Sequence, residues 1–353
     1  MEIISARSPY QIIINETGQT GSKVELFIWN KGTTEPTIPT YTMSENIASV
    51  TQTETNYNIS PYILEYINQI SATPVTTPAI ESNNAWCNVR VKRYKNVNGV
   101  FTLLNNILYV GVNAFTNIIN GLNFDFGDGS FALLGDSSIK VQYFNTISYY
   151  DFLCERRTDS TYNVSYYDSA NTLVYTNAFL TAGALEVYNF KIPLAYNNSV
   201  KVTIGNSVDG NYYTIFTEKL EECKYTPVNV SFVNKLGGWQ QLTFFKAQTN
   251  TINIKGSEYS LLQENVSYNP LIGQKKSFNI NGTQTIKLNT GWVYENYNDI
   301  IKELLMSETI LLNNTFPVNL KTQSLTYKTN ILDKNINFEI EFEFANSLLN
   351  NLV

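Results

Sequence analysis

Apolar and polar residues alternate without a break along 336–344 (INFEIEFEF). Ile336, Phe338, Ile340, Phe342 and Phe344 fall on one side, and Asn337, Glu339, Glu341 and Glu343 on the other. That period of two predicts a single strand with one face on a core and one in water. Three outward carboxylates disfavour edge-to-edge aggregation. Shorter runs of the same kind recur at 11–15, 23–29, 40–43, 86–94 and 100–115, the last with a turn at Asn105 and Asn106. They continue at 141–150, 163–167, 172–175, 186–192, 200–204 and 212–216. After a hairpin over 228–245 that turns at 234–238, further runs lie at 277–280, 285–288, 310–312, 317–320 and 325–328. Gly, Asn, Asp and Pro separate them, as in antiparallel β-sandwiches.

Helical spacing is rare. Within 294–306, Tyr297, Ile300, Ile301, Leu304 and Leu305 share one side, while Asn296, Asn298, Asp299, Lys302 and Glu303 share the other. This predicts an amphipathic helix of about three turns. Ser60 and Pro61 form a helix-start pair, a cap oxygen followed by a proline tolerated in the first turn. A short helix or an edge element is expected after it. Residues 71–85 read as a loop.

A chain of 353 residues suits two or three domains. The patterning divides it into an N-terminal β-sandwich-like domain (1–118), a middle β-sandwich-like domain (119–225) and a C-terminal β-rich domain (226–353) carrying the helix near 294–306. The expected fold class is mainly β, with tandem sandwiches followed by a helix-bearing β domain. A hydrophobic fraction of 43% and an aromatic fraction of 13% are enough to fill cores, which argues against global disorder. Charged residues reach only 15%, so Asn, Thr, Ser and Tyr supply the polarity. That composition suits broad, uncharged contact faces, or else reflects an AT-rich coding sequence.

A net charge of −6 argues against a nucleic-acid partner. The densest basic run, Arg90, Lys92, Arg93 and Lys95, alternates with Val89, Val91 and Tyr94 as a solvated strand face. No stretch approaches the roughly eighteen apolar residues of a membrane span. The opening residues MEIISARSPYQIII lack the basic head and long apolar run of a signal peptide. Cys87, Cys154 and Cys223 lie 67 and 69 residues apart, too far for a disulfide scaffold or a zinc knuckle. Buried thiols in a reducing compartment are expected.

The sequence contains no histidine, which removes the ordinary Ser-His-Asp and Cys-His machinery and the commonest zinc ligand. Acidic residues cluster in turns or on outer strand faces, as Glu339, Glu341 and Glu343 do, and do not form an acid and base across a cleft. Cys154, beside Glu155, Arg156 and Arg157, reads as a buried thiol at a charged turn and not as an activated nucleophile. In 124–129 (FDFGDG), Asp125 and Asp128 supply fewer oxygens than a calcium loop needs. The segment resembles the FGDG turn of polycystic-kidney-disease-type sandwich repeats, which implies a structural hairpin. No catalytic residue, metal or cofactor is expected. Trp29, Trp239 and Trp292 are the candidate aromatic contact residues, Trp239 being read first as a core anchor.

Three stretches toward the C-terminus carry a resemblance: EECKYTPVNVSFVNKLGGWQQLTFFKA (221–247), TIKLNTGWVYENYNDIIKELLMSE (285–308) and VNLKTQSLTYKTNILDKNINFEIEFEFA (318–345). Together they resemble virion structural proteins of tailed phages and prophages of Bacteroidetes, the crAss-like group included. The likeness covers roughly 220–345 and extends loosely to ARSPYQIII, KVELFIWNKG and NISPYILEYI; the middle domain carries nothing specific. It implies a non-enzymatic particle component at the neck, collar or tail, made in the host bacterial cytoplasm. In the virion it would contact other virion proteins as a symmetric homo-oligomer, without nucleic acid or membrane. No catalytic residue carries over. The competing readings are a tail-associated receptor- or glycan-binding protein, which needs an open tryptophan, and a polysaccharide-degrading enzyme, which needs facing carboxylates.

Overall fold

The computed structural model describes residues 2–349 except 31–32, 50, 68–75, 82–85, 124–139, 144–148, 157–159, 182–185, 195, 207–209, 223, 262–270, 272, 296 and 325–334. Strands dominate, in several separate sheets, and two α-helices occur among the described residues. The chain is therefore mainly β, as its alternation predicts. It divides into two compact units, 1–220 with 232–241, and 221–231 with 242–353.

The first unit opens with a five-stranded sheet in the order Glu2–Ser5, Val100–Val112, Trp86–Val97, Gly21–Trp29, Tyr41–Asn46. One face carries Val24, Leu26, Ile28, Cys87, Val89, Val91 and Tyr109, all buried. Covering it are Ile12, Ile14 and Tyr57 of a two-stranded sheet (Gln11–Ile14 with Thr55–Asn58) and Ile63 of the helix Ser60–Tyr66. Sheet lies on sheet, the sandwich-like packing expected of alternating strands. Each fully buried aliphatic contributes about 1.5–3 kcal/mol. Between the layers, the Ser22 hydroxyl bonds Thr55 Oγ1 at 2.5 Å and Tyr57 Oη at 2.6 Å, so the polar atoms trapped there satisfy one another.

Three local expectations for this region need correction. Asn105 and Asn106 do not turn the chain, because Val100–Val112 is one strand. The turn is at Asn98 (φ 52°) and Gly99 (φ 90°), the asparagine–glycine pair that takes the left-handed conformation at both positions of a tight hairpin. Arg93 pairs with Asn105 and Tyr94 with Leu103, so Leu104 is the extra residue of a bulge. Ser60 does not cap its helix: the cap position is Ile59 without a side-chain bond, and the Ser60 hydroxyl donates to the Ser8 carbonyl at 2.6 Å. Within 71–85, Ala79–Glu81 is a strand paired with Asn189, Phe190 and Lys191.

Gly111 explains how close the helix sits. A Cβ there would lie 2.3 Å from Ile63 Cγ2 and 3.2 Å from Cys87 Sγ. The outer face of the same sheet is charged. Lys23 reaches Glu25 at 2.7 Å and lies 4.3 Å from the Tyr94 ring centroid, while the Tyr94 hydroxyl donates to Glu25 at 2.8 Å. Burial pushes the Glu25 carboxyl up, but Lys23, Tyr94 and Lys92 together outweigh it and hold the group below its ordinary range.

A second five-stranded sheet runs Leu173–Thr181, Ser160–Tyr167, Lys201–Asn206, Gly210–Lys219, Lys140–Tyr143. Val141, Val164, Tyr166, Val202, Ile204 and Ile215 are buried on it. The Tyr166 hydroxyl donates to the Pro193 carbonyl at 2.9 Å, and Tyr175 stacks on Tyr196 with centroids 4.0 Å apart. Tyr149–Arg156 and Glu186–Pro193 pair alongside, and Tyr150 lies opposite Gln240.

In the second unit, Thr249–Ser260, Lys275–Asn289, Glu339–Phe344, Phe316–Leu320 and Ile310–Leu312 follow one another in that order. Ile286, Leu288, Ile340, Phe342, Ile310, Leu312 and Val318 are buried with the helix Tyr297–Leu305, whose Tyr297, Ile300, Ile301 and Leu304 face inward. The helix is shorter than the expected 294–306; four of the five predicted apolar positions are buried, whereas Leu305 is half-buried and Glu303, expected on the polar side, is buried. The expected strand 336–344 is two strands, Asn335–Ile336 and Glu339–Phe344. Between them Phe338 leaves the ladder for Thr290, whose amide donates to the Phe338 carbonyl and whose hydroxyl accepts the Phe338 amide, each at 3.0 Å. The outward glutamates meet lysines, Glu339 with Lys287 and Glu341 with Lys321. The expected strand at 325–328 lies outside the described residues.

Candidate functional site

The most open long strand among the described residues is Thr249–Ser260, the outer half of the hairpin Thr249–Ser260/Lys275–Asn289. Its sequence TNTINIK places Ile252 and Ile254 on one face with only Thr, Asn and Lys around them, so neither face acquires a full apolar set. All but one residue of Thr249–Ser260 are exposed, Ile252 by 58% and Ile254 by 71%. Ile252 lies opposite Gln284 and Ile254 opposite Gly282. Further out, Asn279 takes φ 50° where the register slips, and a Cβ on Gly256 would meet Ile280 at 3.1 Å. The extra residue is on the Lys275–Asn289 strand, so alternation along Thr249–Ser260 continues and Tyr259 faces away from Ile254. Tyr259 meets Phe278 edge-on with centroids 5.7 Å apart, both rings being about half exposed.

The two edges of this ribbon differ. Beyond the stretch paired with Glu339–Phe344, the C-terminal residues cover one edge: the Leu348 amide donates to Gly282 at 2.9 Å, and Leu349 exchanges two 3.0 Å bonds with the Asn281 side chain. Among the described residues, Thr249–Ser260 ends the sheet, with no strand paired to its outer edge. An open strand edge is a template for another chain.

A second feature belongs to the other unit. A cavity of about 600 Å³ is lined by Tyr143, Asn198, Val200, Phe216, Glu218 and Lys219, among others. Asn197 and Asn198 turn the chain at positive φ, the Thr217 amide donates to the Val200 carbonyl at 2.8 Å, and the Phe216 side chain is about half exposed. Its lining combines aromatic and aliphatic side chains with an amide and charged groups.

Of the expected contact residues, Trp239 is fully buried, and its indole nitrogen has no hydrogen-bond partner among the described residues. It is a core side chain and offers no face to a ligand. Trp29 ends the strand Gly21–Trp29 partly buried, and Trp86 is buried against Ile3, Val110 and Val112. Trp292 is 62% exposed. It follows Gly291 (φ 69°), where a Cβ would strike the Phe245 ring at 2.5 Å, so the backbone turns there and holds the indole outward. Trp29 and Trp239 stand in different sheets. Asp125, Asp128 and Cys223 lie outside the described residues. Cys154 sits in the strand Tyr149–Arg156. Cys87 is fully buried, and burial pushes its thiol up to about 12.

Among the described residues, Tyr10 is strongly perturbed. Burial first, and then its hydrogen bond to Glu2, push the phenol far above its ordinary value. With Tyr109 edge-on at 5.8 Å, it is a locked donor tying the first strand to the core. Sequence reading missed the strand Thr249–Ser260 altogether. Its signal was the Ile252/Ile254 alternation, diluted by Asn and Thr on both faces. No family model matches this sequence, and no curated protein is significantly similar to it.

Proposed function

We propose that this chain is a non-enzymatic structural component of a tailed bacteriophage particle, built into the neck, collar or tail through protein–protein contacts. The observation that carries the reading is the open hairpin. A soluble chain normally blunts or covers a long strand edge, and here Ile252, Ile254, Tyr259 and Phe278 stand exposed beside one. The likeness of 221–247, 285–308 and 318–345 to virion proteins supports the same reading, because those stretches supply most of the unit that bears the hairpin. Rigid β modules with uncharged, Asn- and Tyr-rich surfaces suit large, wet, permanent contacts. Mass spectrometry of purified particles of the encoding phage tests it. The chain is expected among the virion proteins, and its absence from mature particles overturns the proposal.

The cavity at Tyr143 and Phe216 favours a second reading, a tail-associated glycan- or receptor-binding protein, since sugars stack on open aromatic rings. On a glycan array the chain then gives hits that Phe216→Ala abolishes. An empty array, or hits that the substitution leaves intact, removes this reading.

A further inference from the structure

We infer that the hairpin Thr249–Ser260/Lys275–Asn289 is an exchange arm received by a second copy of this chain, which closes over both of its faces; this rests on the assembly reading above. Three observations converge on that occupant.

The first is charge. In 249–289, four lysines (255, 275, 276, 287) oppose two glutamates (258, 264), a net +2; the remaining residues of a −6 chain therefore sum to −8. Lys287 is occupied by Glu339, whereas Lys255, Lys275 and Lys276 make no ion pair among the described residues. The arm is a basic element on an acidic molecule, so its complement is present on every other copy.

The second is the distribution of apolar side chains. Ile252 and Ile254 are on one face and Tyr259 on the other, all about half exposed or more. A partner lying on one face leaves the other set in water.

The third is area. A strand of 12 residues spans about 40 Å, and a two-stranded ribbon is about 10 Å wide, so one face, already covered in part at Ile286 and Leu288, offers at most roughly 400 Å². A specific, stable interface takes roughly 800 Å² per partner. One face is too small, so the arm has to be clasped between surfaces of its receiver. The open edge of Thr249–Ser260 then adds backbone hydrogen bonds to the acceptor.

The test is sedimentation of the full chain over a concentration and salt series, beside the pairs Ile252→Glu/Ile254→Glu and Lys275→Glu/Lys276→Glu. The wild-type chain is expected to self-associate, less at high salt because the contact pairs lysines with carboxylates. Either pair shifts the association at least tenfold toward monomer. Ile252, Ile254 and Lys275 are exposed and Lys276 is half-buried, and unchanged circular dichroism and melting temperature show that the fold survives. Should the glutamates at 252 and 254 unfold the chain, the lysine pair alone decides. A wild-type chain that stays monomeric at its highest soluble concentration overturns the inference, as do folded variants that associate like wild type. Presence of such a monomer in purified particles leaves the assembly reading standing, with the arm received by a different virion protein; absence from particles removes that reading independently.

Discussion

Two long hairpins of similar construction meet opposite fates in this protein. Trp86–Val97/Val100–Val112 and Thr249–Ser260/Lys275–Asn289 are both antiparallel, and each is interrupted by a register slip. In the first, Cys87, Val89 and Val91 lie fully buried under a second sheet and a helix. In the second, the outer strand is exposed on both faces. Pairing within each hairpin runs along both strands and does not distinguish them, although Trp86–Val97 is also paired on its other side and Thr249–Ser260, among the described residues, is an edge. What differs is whether one face carries enough aliphatic surface to hold another layer. A bare two-stranded ribbon is marginally stable in water, and the outer arm survives by continuing into a sheet through Lys275–Asn289 and Glu339–Phe344.

The largest effect expected of this contrast is in side-chain truncation. Leu26→Ala, in the layer between the sheets, costs about 3 kcal/mol of stability, whereas Ile254→Ala on the arm stays within about 0.5 kcal/mol of wild type. Denaturant unfolding followed at each variant measures both, and equal costs would erase the distinction. Gly111→Ala comes next at about 2 kcal/mol, because the added methyl collides with Ile63 and forces the helix off the sheet. The same unfolding assay reads it, and a neutral result means the helix is not tightly seated.

Hydrogen exchange should separate the hairpins without any substitution. Amides of Trp86–Val97 are expected to exchange near the global unfolding limit, and the outward amides of Thr249–Ser260 orders of magnitude faster. A self-associated sample should protect the arm alone. Thiol labelling gives a related contrast inside the core: Cys87, pushed up to about 12 by burial, resists alkylation near pH 8 until denaturant is added. Peptide mapping identifies the Cys87 fragment, and its rapid labelling in the native protein contradicts the packing described.

The smallest effect is electrostatic. The folded-state pKa of Glu25 is depressed below its unfolded value, so its contribution is present above the ordinary carboxylate range of about 4.3. It is lost as the pH falls through the folded value. Glu25→Gln should therefore be less stable than wild type near neutrality and converge with it in acid, as measured by unfolding at a series of pH values. A constant gap across that range would assign the effect to packing.

Much of the fold is legible in the sequence because a half-buried strand must alternate. The sandwich-forming strands at 23–29, 86–94 and 186–192, the inward stripe of Tyr297–Leu305 and the outward glutamates of Glu339–Phe344 all follow from local pattern. The hairpin turn was also written locally, in Asn98 and Gly99, although Asn105 and Asn106 offered a decoy; only pairing with Arg93 and Tyr94 made that second site a bulge. The candidate surface was the least readable part. An exposed ribbon is under no pressure to alternate, so Thr249–Ser260 carries little period to detect.

Long-range contacts settled the rest. Whether an indole is wall or handle was decided by what the backbone packs against, which buried Trp239 and turned Trp292 outward at Gly291. Ser60 looked like a cap until Ser8 claimed its hydroxyl, and the run 336–344 looked continuous until Thr290 drew Phe338 aside. Periodicity reports which side chains avoid water; it carries no record of which distant residue will meet them, and that partner determines whether a strand becomes core or stands free.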